Sequence, residues 1–165
     1  TMEQEILQEL LKETFTLTDF KKRIKSLKHE LEIKFFGDSS ETVAQIEQDS
    51  EIKSWLESLN KEVTSAITHD NFHEVFAFLE SFASKTDPLV IYLAFSPGPE
   101  TLTEIGKWFR INLKNSFLFD IKVDPSLIGG CALVLNGVYK DYSVKGKLAE
   151  RKEQILNSFS HYLKK

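Results

Sequence analysis

The feature that most constrains the fold is a change in the spacing of apolar residues near residue 86 of this 165-residue chain. Before that point, apolar residues recur every three or four positions, which predicts amphipathic helices. After it, short β-branched and aromatic runs appear between turn-forming residues, which predicts strands. The sequence therefore predicts an α+β protein: an N-terminal helical bundle over residues 1–85, followed by a small mixed-sheet domain over residues 86–165.

Four helices are predicted in the first half from their apolar stripes. Thr18 is the expected N-cap of the second helix, Gly37 its end, and Ser39 or Ser40 the cap of the third. The stripes of the four helices are, in order, Ile6, Leu7, Leu10 and Leu11; Phe20, Ile24, Leu27 and Leu31; Val43, Ile46, Ile52, Trp55, Leu56 and Leu59; and Phe72, Phe76, Leu79 and Phe82.

The second half predicts the order β-α-β-β-β-α. Residues 87–95 form an apolar run bounded by prolines, and residues 116–124 alternate with Phe117, Phe119, Ile121 and Val123 on one face. The helix between these two strands begins near Pro99. Asn136-Gly137 predicts a tight hairpin turn between the last two strands, and Ser143 is the expected cap of the last helix.

Composition excludes several classes of protein. Cys131 is the only cysteine, so neither an intramolecular disulfide nor a cysteine-based zinc site can form within one chain. No apolar run approaches the roughly 18–20 residues of a membrane-spanning helix, and no signal peptide is expected. Residues 1–85 carry 10 basic and 17 acidic residues, and residues 86–165 carry 11 and 8. The acidic first half argues against nucleic acid as a partner.

Candidate chemistry is sparse. Gly129-Gly130 lacks the Lys-Ser/Thr and the following helix of a phosphate loop, so the pair is interpreted as a turn that needs positive φ or a close backbone approach. His69 and His73 are four apart, which predicts one helix face, but no third ligand is evident and exposed histidines near a helix break are the favoured interpretation. The sequence predicts no catalytic residue, no cofactor and no metal.

A more specific signal is the stretch "VDPSLIGG", residues 123–130, together with "DYSVKGKL", residues 141–148. The two stretches resemble the C-terminal signature of the delta subunit of F-type ATP synthases, also called the oligomycin-sensitivity-conferring protein. The resemblance covers about the second half of the chain. It implies structural roles, in turn geometry and capping, for Asp124, Pro125, Leu127, Gly129, Gly130, Asp141 and Ser143.

The resemblance implies a noncatalytic stator subunit of proton-driven ATP synthesis that joins the catalytic head to the peripheral stalk. The helical half would bind the alpha (and beta) subunits of the head, and the second half would bind the b subunit of the stalk. Contact with the membrane would be indirect, at the cytoplasmic face in a bacterium or the inner side of an organelle. Candidate contacts to the head, which are equally good core residues, are Leu7, Leu10, Leu11, Phe20 and Ile24.

Three alternatives remain open at this point. The first is a stator-like regulator of a flagellar or type III export ATPase, whose C-terminal domain resembles the same fold and carries a related "DPSL…GG" stretch. The second is a small hydrolase or metal enzyme that would use His69 and His73 with nearby acids. Nucleic-acid binding by the basic half would appear as salt-sensitive binding.

Overall fold

The computed structural model describes residues 1–37, 50–113 and 116–151. The predicted caps of the third helix, Ser39 or Ser40, and the first two residues of its apolar stripe, Val43 and Ile46, lie outside these ranges. Contacts group the chain into two compact units: Thr1–Thr86 with Gly106–Leu118, and Asp87–Ile105 with the described residues from Phe119 onward. The division into functional domains at residues 1–85 and 86–165 stays a prediction.

The described residues of the first unit form short amphipathic helices. Their bounds are α1 (Met2–Lys12), α2 (Leu17–Phe36), α3 (Ser50–Ser58), α4 (Lys61–Ala66) and α5 (Phe72–Lys85). The apolar stripes predicted for the first two helices and α5 face inward, because residues three and four apart lie on one side of a helix. The fold class, a helical N-terminal region followed by a small sheet, is confirmed.

One apolar cluster forms the core of this unit. Three aromatic rings, those of Phe20, Phe72 and Phe76, are at most 1% exposed, and Phe20 meets Phe82 edge-to-face at 5.5 Å between ring centroids. Edge-to-face packing of this kind adds to the free energy gained by burying the rings. The other buried members are Ile6, Leu7, Leu10, Leu11, Leu17, Ile24, Leu27, Leu31, Trp55, Val63, Ile67, Val75, Leu79, Ala83 and Leu118.

The predicted N-cap of α2 is wrong by two residues. The helix begins at Leu17, and the side chain of Thr16, not Thr18, accepts a hydrogen bond from the Asp19 amide at 3.1 Å. Burial of Leu17 brings the helix start forward, since its side chain belongs to the core. Gly37 ends α2 with φ of 79°, as predicted.

Helix α4 was not predicted. It is six residues long, with Asn60 accepting a hydrogen bond from the Glu62 amide and Val63 as its buried residue. One buried residue in six produces no periodic signal. The placement of both histidines on one helix face is also wrong, because α5 begins at Phe72 and His69 lies before it.

The second unit is built on a four-stranded sheet in the order β2-β1-β3-β4. Its elements are β1 (Leu89–Leu93), the first half of α6 (Pro99–Asn112), β2 (Phe119–Val123), a 3-10 turn (Pro125–Leu127), β3 (Cys131–Leu135), β4 (Val138–Asp141) and α7, helical over residues 144–151. From Gly106 onward, α6 groups with the first unit. β1 pairs in parallel with β2 and antiparallel with β3. The predicted β-α-β-β-β-α order is confirmed, with the 3-10 turn added between β2 and β3.

The hairpin between β3 and β4 turns at Asn136 and Gly137, with φ of 51° and 76°. Positive φ at both residues is the geometry that the Asn-Gly signal predicts. The strand predicted over residues 116–124 is shorter than expected: β2 begins at Phe119, and Val123 at its end is half exposed.

We predict that Thr16→Ala lowers the free energy of unfolding by about 1 kcal/mol, because the Asp19 amide loses its capping acceptor. Urea denaturation followed by circular dichroism measures this loss. Thr16→Ser keeps the hydroxyl and should retain most of the stability. Equal stability of the Ala variant and the wild type would show that the cap does not contribute.

Candidate partner-binding surfaces

The "DPSL" stretch forms a capped 3-10 turn at the carboxyl end of β2. The Asp124 carboxylate accepts a hydrogen bond from the Ser126 amide at 3.0 Å, and Pro125 takes the first position of the turn, where its missing N–H costs nothing. Leu127 is 3% exposed and anchors the turn from within. The roles in turn geometry and capping that the resemblance implies for these residues agree with this arrangement.

Ile128 then occupies a conformation that β-branched residues rarely adopt. Its φ is 69° and its ψ is −44°, and the Gly129 amide donates to the Leu127 carbonyl at 2.7 Å. A hydrogen bond between residues two apart around such a centre defines the rare, strained form of the γ-turn. Strain of this kind costs on the order of 1–3 kcal/mol and persists only where the surroundings hold it.

The surroundings here are the start of α7. The Val144 amide donates to the Gly129 carbonyl at 2.9 Å, and the Tyr142 amide donates to the Cys131 carbonyl at 2.8 Å. Between these two bonds lies Gly130, with φ of 74°. A Cβ on Gly130 would lie 2.6 Å from the Tyr142 carbonyl oxygen. The close approach predicted for the glycine pair therefore belongs to Gly130, and Gly129 does not have positive φ.

Two side chains cap the start of α7. Ser143 is fully buried, and its hydroxyl oxygen accepts from the Gly146 amide at 3.0 Å, as predicted for a cap. The Asp141 carboxylate accepts from the Ser143 amide at 2.8 Å.

Both carboxylates in this region have shifted pKa values. Hydrogen bonds from Ser143 lower the pKa of Asp141, and hydrogen bonds from Ser126 lower the pKa of Asp124. The nearby Lys145 ammonium lowers the pKa of each further. Both groups therefore favour their charged, hydrogen-bonded form.

Three exposed apolar side chains lie on the turn and on α7, and we call them the turn patch: Ile128, Val144 and Leu148. Their exposed fractions are 66%, 42% and 51%. Val144 and Leu148 are one helical turn apart on α7. A Cβ on Gly129, next to Ile128, would lie 3.3 Å from Val144 Cγ2. Exposed apolar side chains grouped in this way are typical of interaction sites.

The first unit carries a different surface, an open groove of about 610 Å³ between α1 and α4. Ala66 is its half-buried apolar residue, Ile6 and Val63 lie beneath it at 2% and 4% exposed, and three glutamates stand along it. None of the described residues lining it is Lys or Arg. The lining residues are Thr1, Met2, Gln4, Glu5, Ile6, Gln8, Glu9, Glu62, Val63 and Ala66.

The five residues predicted as head contacts lie elsewhere. All are between 1% and 6% exposed and belong to the core of the unit; they are Leu7, Leu10, Leu11, Phe20 and Ile24. In this conformation a partner cannot reach their side chains, because they pack against α3, α4 or α5. These five residues are therefore core residues, and any contact with a partner has to be made by other residues.

The histidines show no metal-binding arrangement. The Phe36 ring lies between them, with centroid distances of 4.8 Å to His69 and 5.7 Å to His73. Over residues 1–37, 50–113 and 116–151, no group of three or more His, Cys, Asp or Glu is placed to hold a metal ion. Searched over the same residues, the helices include none that is both long and apolar enough to cross a membrane.

Comparison with known proteins decides the family. The family model for the ATP synthase delta (OSCP) subunit matches residues 3–155, nearly the whole chain. The chain belongs to the ATP synthase delta (OSCP) subunit family. The resemblance carried by "VDPSLIGG" is thereby confirmed, and the match extends through the helical half of this delta-family chain, where sequence inspection found no motif.

Relatives of this delta-family chain include the ATP synthase subunit delta of Caldicellulosiruptor bescii, 34% identical over 68 residues, which are 40% of this chain and 37% of the relative. The subunit delta of Thermotoga neapolitana is 29% identical over 86 residues, 52% and 47% of the two chains. That of Thermotoga maritima is 30% identical over 78 residues, 47% and 43%. Each match therefore spans less than half of the curated relative.

Two features of these surfaces have no signal in the sequence. The strained backbone at Ile128 was not predicted, because the adjacent glycine pair already explained the turn. The groove was not predicted either, because it is formed in part by α4, which was itself not predicted.

We predict that Gly130→Ala destabilises the delta-family chain by about 2 kcal/mol or more, because the new Cβ meets the Tyr142 carbonyl and the backbone keeps positive φ. Gly137→Ala is the matched control: its φ is 76°, but no atom lies within 4 Å of the added Cβ. It should cost about 1 kcal/mol, from φ alone. Chemical denaturation measures both, and equal losses would contradict the close approach.

The lowered pKa values of Asp124 and Asp141 predict loss of stability in acid. A carboxyl whose pKa is lower in the folded state stabilises the fold above its unfolded pKa, and that contribution disappears as the pH falls through the folded value. We therefore expect the melting temperature to drop below about pH 4. Asp141→Asn keeps the acceptor oxygen and should flatten this dependence. A pH profile unchanged by the substitution would contradict the assignment.

Proposed function

We propose that this chain is a noncatalytic peripheral-stalk subunit that links the catalytic head of an F-type ATP synthase to its membrane sector. The observation that carries the proposal is that a single family match spans both units of the chain. A linker needs two binding surfaces, and the two units offer surfaces of different chemistry. The chain would lie at the cytoplasmic face of a bacterial membrane, or at the inner side of an organelle membrane, bound through the complex.

In this proposal the groove between α1 and α4 receives a helix from an alpha subunit of the head. An amphipathic helix binds in a groove by laying its apolar side on the apolar residues there, of which Met2 is the most exposed in this groove. Glu5, Glu9 and Glu62 along the groove favour a helix that carries basic residues beside that apolar side. Leu7, Leu10 and Leu11, which the sequence predicted as head contacts, would then hold α1 in place through their packing in the core.

The second unit, in the same proposal, binds the b subunit of the stalk. Its balanced charge, unlike the acidic first unit, supports a different partner: the second unit carries 8 basic and 8 acidic residues, and the first carries 13 and 17. The ordered turn and caps between β2 and α7 provide a fixed surface for such a partner. Stator function requires a firm attachment at this surface, because the linkage has to resist torque.

The test is an affinity pull-down with the full chain from detergent-solubilised membranes, read by mass spectrometry. We expect alpha, beta and b subunits together. Ala66→Trp should greatly reduce recovery of alpha and beta while b remains, because the indole would occupy the groove. Ser65→Trp, on the next residue of α4 but outside the groove lining, is the matched control and should recover all three.

Two outcomes would count against the proposal. Capture of a type III export ATPase without synthase subunits would favour the export regulator considered from the sequence. Recovery of alpha that is the same for both tryptophan variants would exclude the groove as the head-binding surface.

A further inference from the structure

The sheet of the second unit ends at β4, and no strand in the described part of the chain pairs with its outer side. All four residues of the strand are exposed. Amide and carbonyl groups along such an edge are open to a strand from another molecule. The edge of β4 is therefore a surface at which two copies of this chain could join their sheets.

The ladder between β3 and β4 shows which backbone groups are open at this edge. The Tyr142 amide donates to the Cys131 carbonyl at 2.8 Å, and bonded pairs alternate with non-bonded pairs along an antiparallel ladder. Lys140, two residues before Tyr142, is therefore bonded to β3 in the same way. Tyr139 and Asp141, which alternate with it, direct their amide and carbonyl groups away from β3.

A two-fold axis allows one register that uses all of these open groups. With the axis at Lys140, Tyr139 of each copy forms a bonded pair with Asp141 of the other. An axis at Tyr139 would instead place Asp141 opposite Gly137 in the hairpin turn. An axis at Asp141 would bring its two carboxylates together and place Tyr139 opposite Ser143, beyond the end of the strand. A symmetric dimer through β4 is therefore centred on Lys140.

This register brings the Lys140 side chains of the two copies directly opposite each other. They form a non-bonded pair, in which the Cα atoms are about 4.5 Å apart, and like charges so placed are destabilising. Val138 and Tyr142 flank Lys140 on its face of the strand, its partner on β3 is Leu133, and Asp141 lies on the opposite face. Lys140 also forms no salt bridge among the described residues. No acidic side chain on this face of β3 or β4 therefore offsets the repulsion.

We propose that the edge of β4 is a contact surface for a second copy of this chain, and that the charge of Lys140 holds the two copies apart. In the same register, Val138 of one copy lies opposite Tyr142 of the other on both sides of the lysine pair, and these side chains are 59% and 52% exposed. Pairs of apolar and aromatic side chains stabilise a sheet. Because a residue on a two-fold axis always meets its own copy, one lysine is enough to oppose the dimer. This surface goes beyond the proposed function, and the purified chain alone is enough to test it.

The test is the self-association of the purified full chain, measured by analytical ultracentrifugation. Lys140→Val removes the repulsion and supplies a β-branched side chain, so the dissociation constant of the dimer should fall about tenfold or more. Lys140→Glu keeps a like-charge pair and should stay as monomeric as the wild type. An equimolar mixture of the wild type and Lys140→Glu places opposite charges at the centre, and it should form a heterodimer that neither chain forms alone.

Two controls locate the contact. Lys25→Val makes the same change at an exposed lysine on α2 of the first unit, and it should leave the association of the wild type unchanged. Tyr139→Pro, added to Lys140→Val, removes an amide that faces outward and is not bonded to β3. The double variant should therefore keep its fold, checked by circular dichroism, and return to a monomer.

Three outcomes would overturn the inference. The first is equal association of Lys140→Val and the wild type, and the second is a mixture with Lys140→Glu that stays monomeric. The third is association of Lys140→Val that survives Tyr139→Pro, because the contact would then lie elsewhere on the chain. Recovery of synthase subunits in the pull-down is independent of all three, so the proposed function and this inference can fail separately.

Discussion

The hydrogen bond from the Val144 amide to the Gly129 carbonyl joins two segments that are distant in the sequence of the second unit. It ties the end of the 3-10 turn to the first turn of α7, just before the chain enters β3. Gly130 can sit beside the Tyr142 carbonyl only because it has no Cβ. This tight approach, with the bond from the Tyr142 amide to the Cys131 carbonyl, holds the start of β3 against the segment that joins β4 to α7.

Much of the fold was predictable because its signals are local. Apolar residues at helical spacing gave α1, α2 and α5, and Asn136-Gly137 gave the hairpin with its positive φ angles. The errors fall where tertiary packing overrides a local pattern. Burial of Leu17 moved the N-cap of α2 from Thr18 to Thr16. Helix α4 was not predicted because Val63 is its one buried residue.

The candidate site was predictable in part. Asp124, Gly130 and Ser143 stand out in the sequence, and the structure gives each a cap or a close approach. Leu7 and Leu10 illustrate the remaining difficulty: an apolar stripe has the same pattern whether it faces a core or a partner, and only burial separates the two. The conformation of Ile128 depends on hydrogen bonds between backbone groups that are distant in the sequence. Residue types alone do not predict such bonds.

The position of β1 at the centre of the sheet has a consequence for how the chain folds during synthesis. β1 pairs with β2 and β3, which lie roughly 30 and 40 residues further along the chain, so β1 cannot be paired on both sides until Leu135 has left the ribosome. The helical core, except for Leu118, is complete by Ala83. The helices can therefore collapse first, and the nascent β1 strand waits unpaired beyond them.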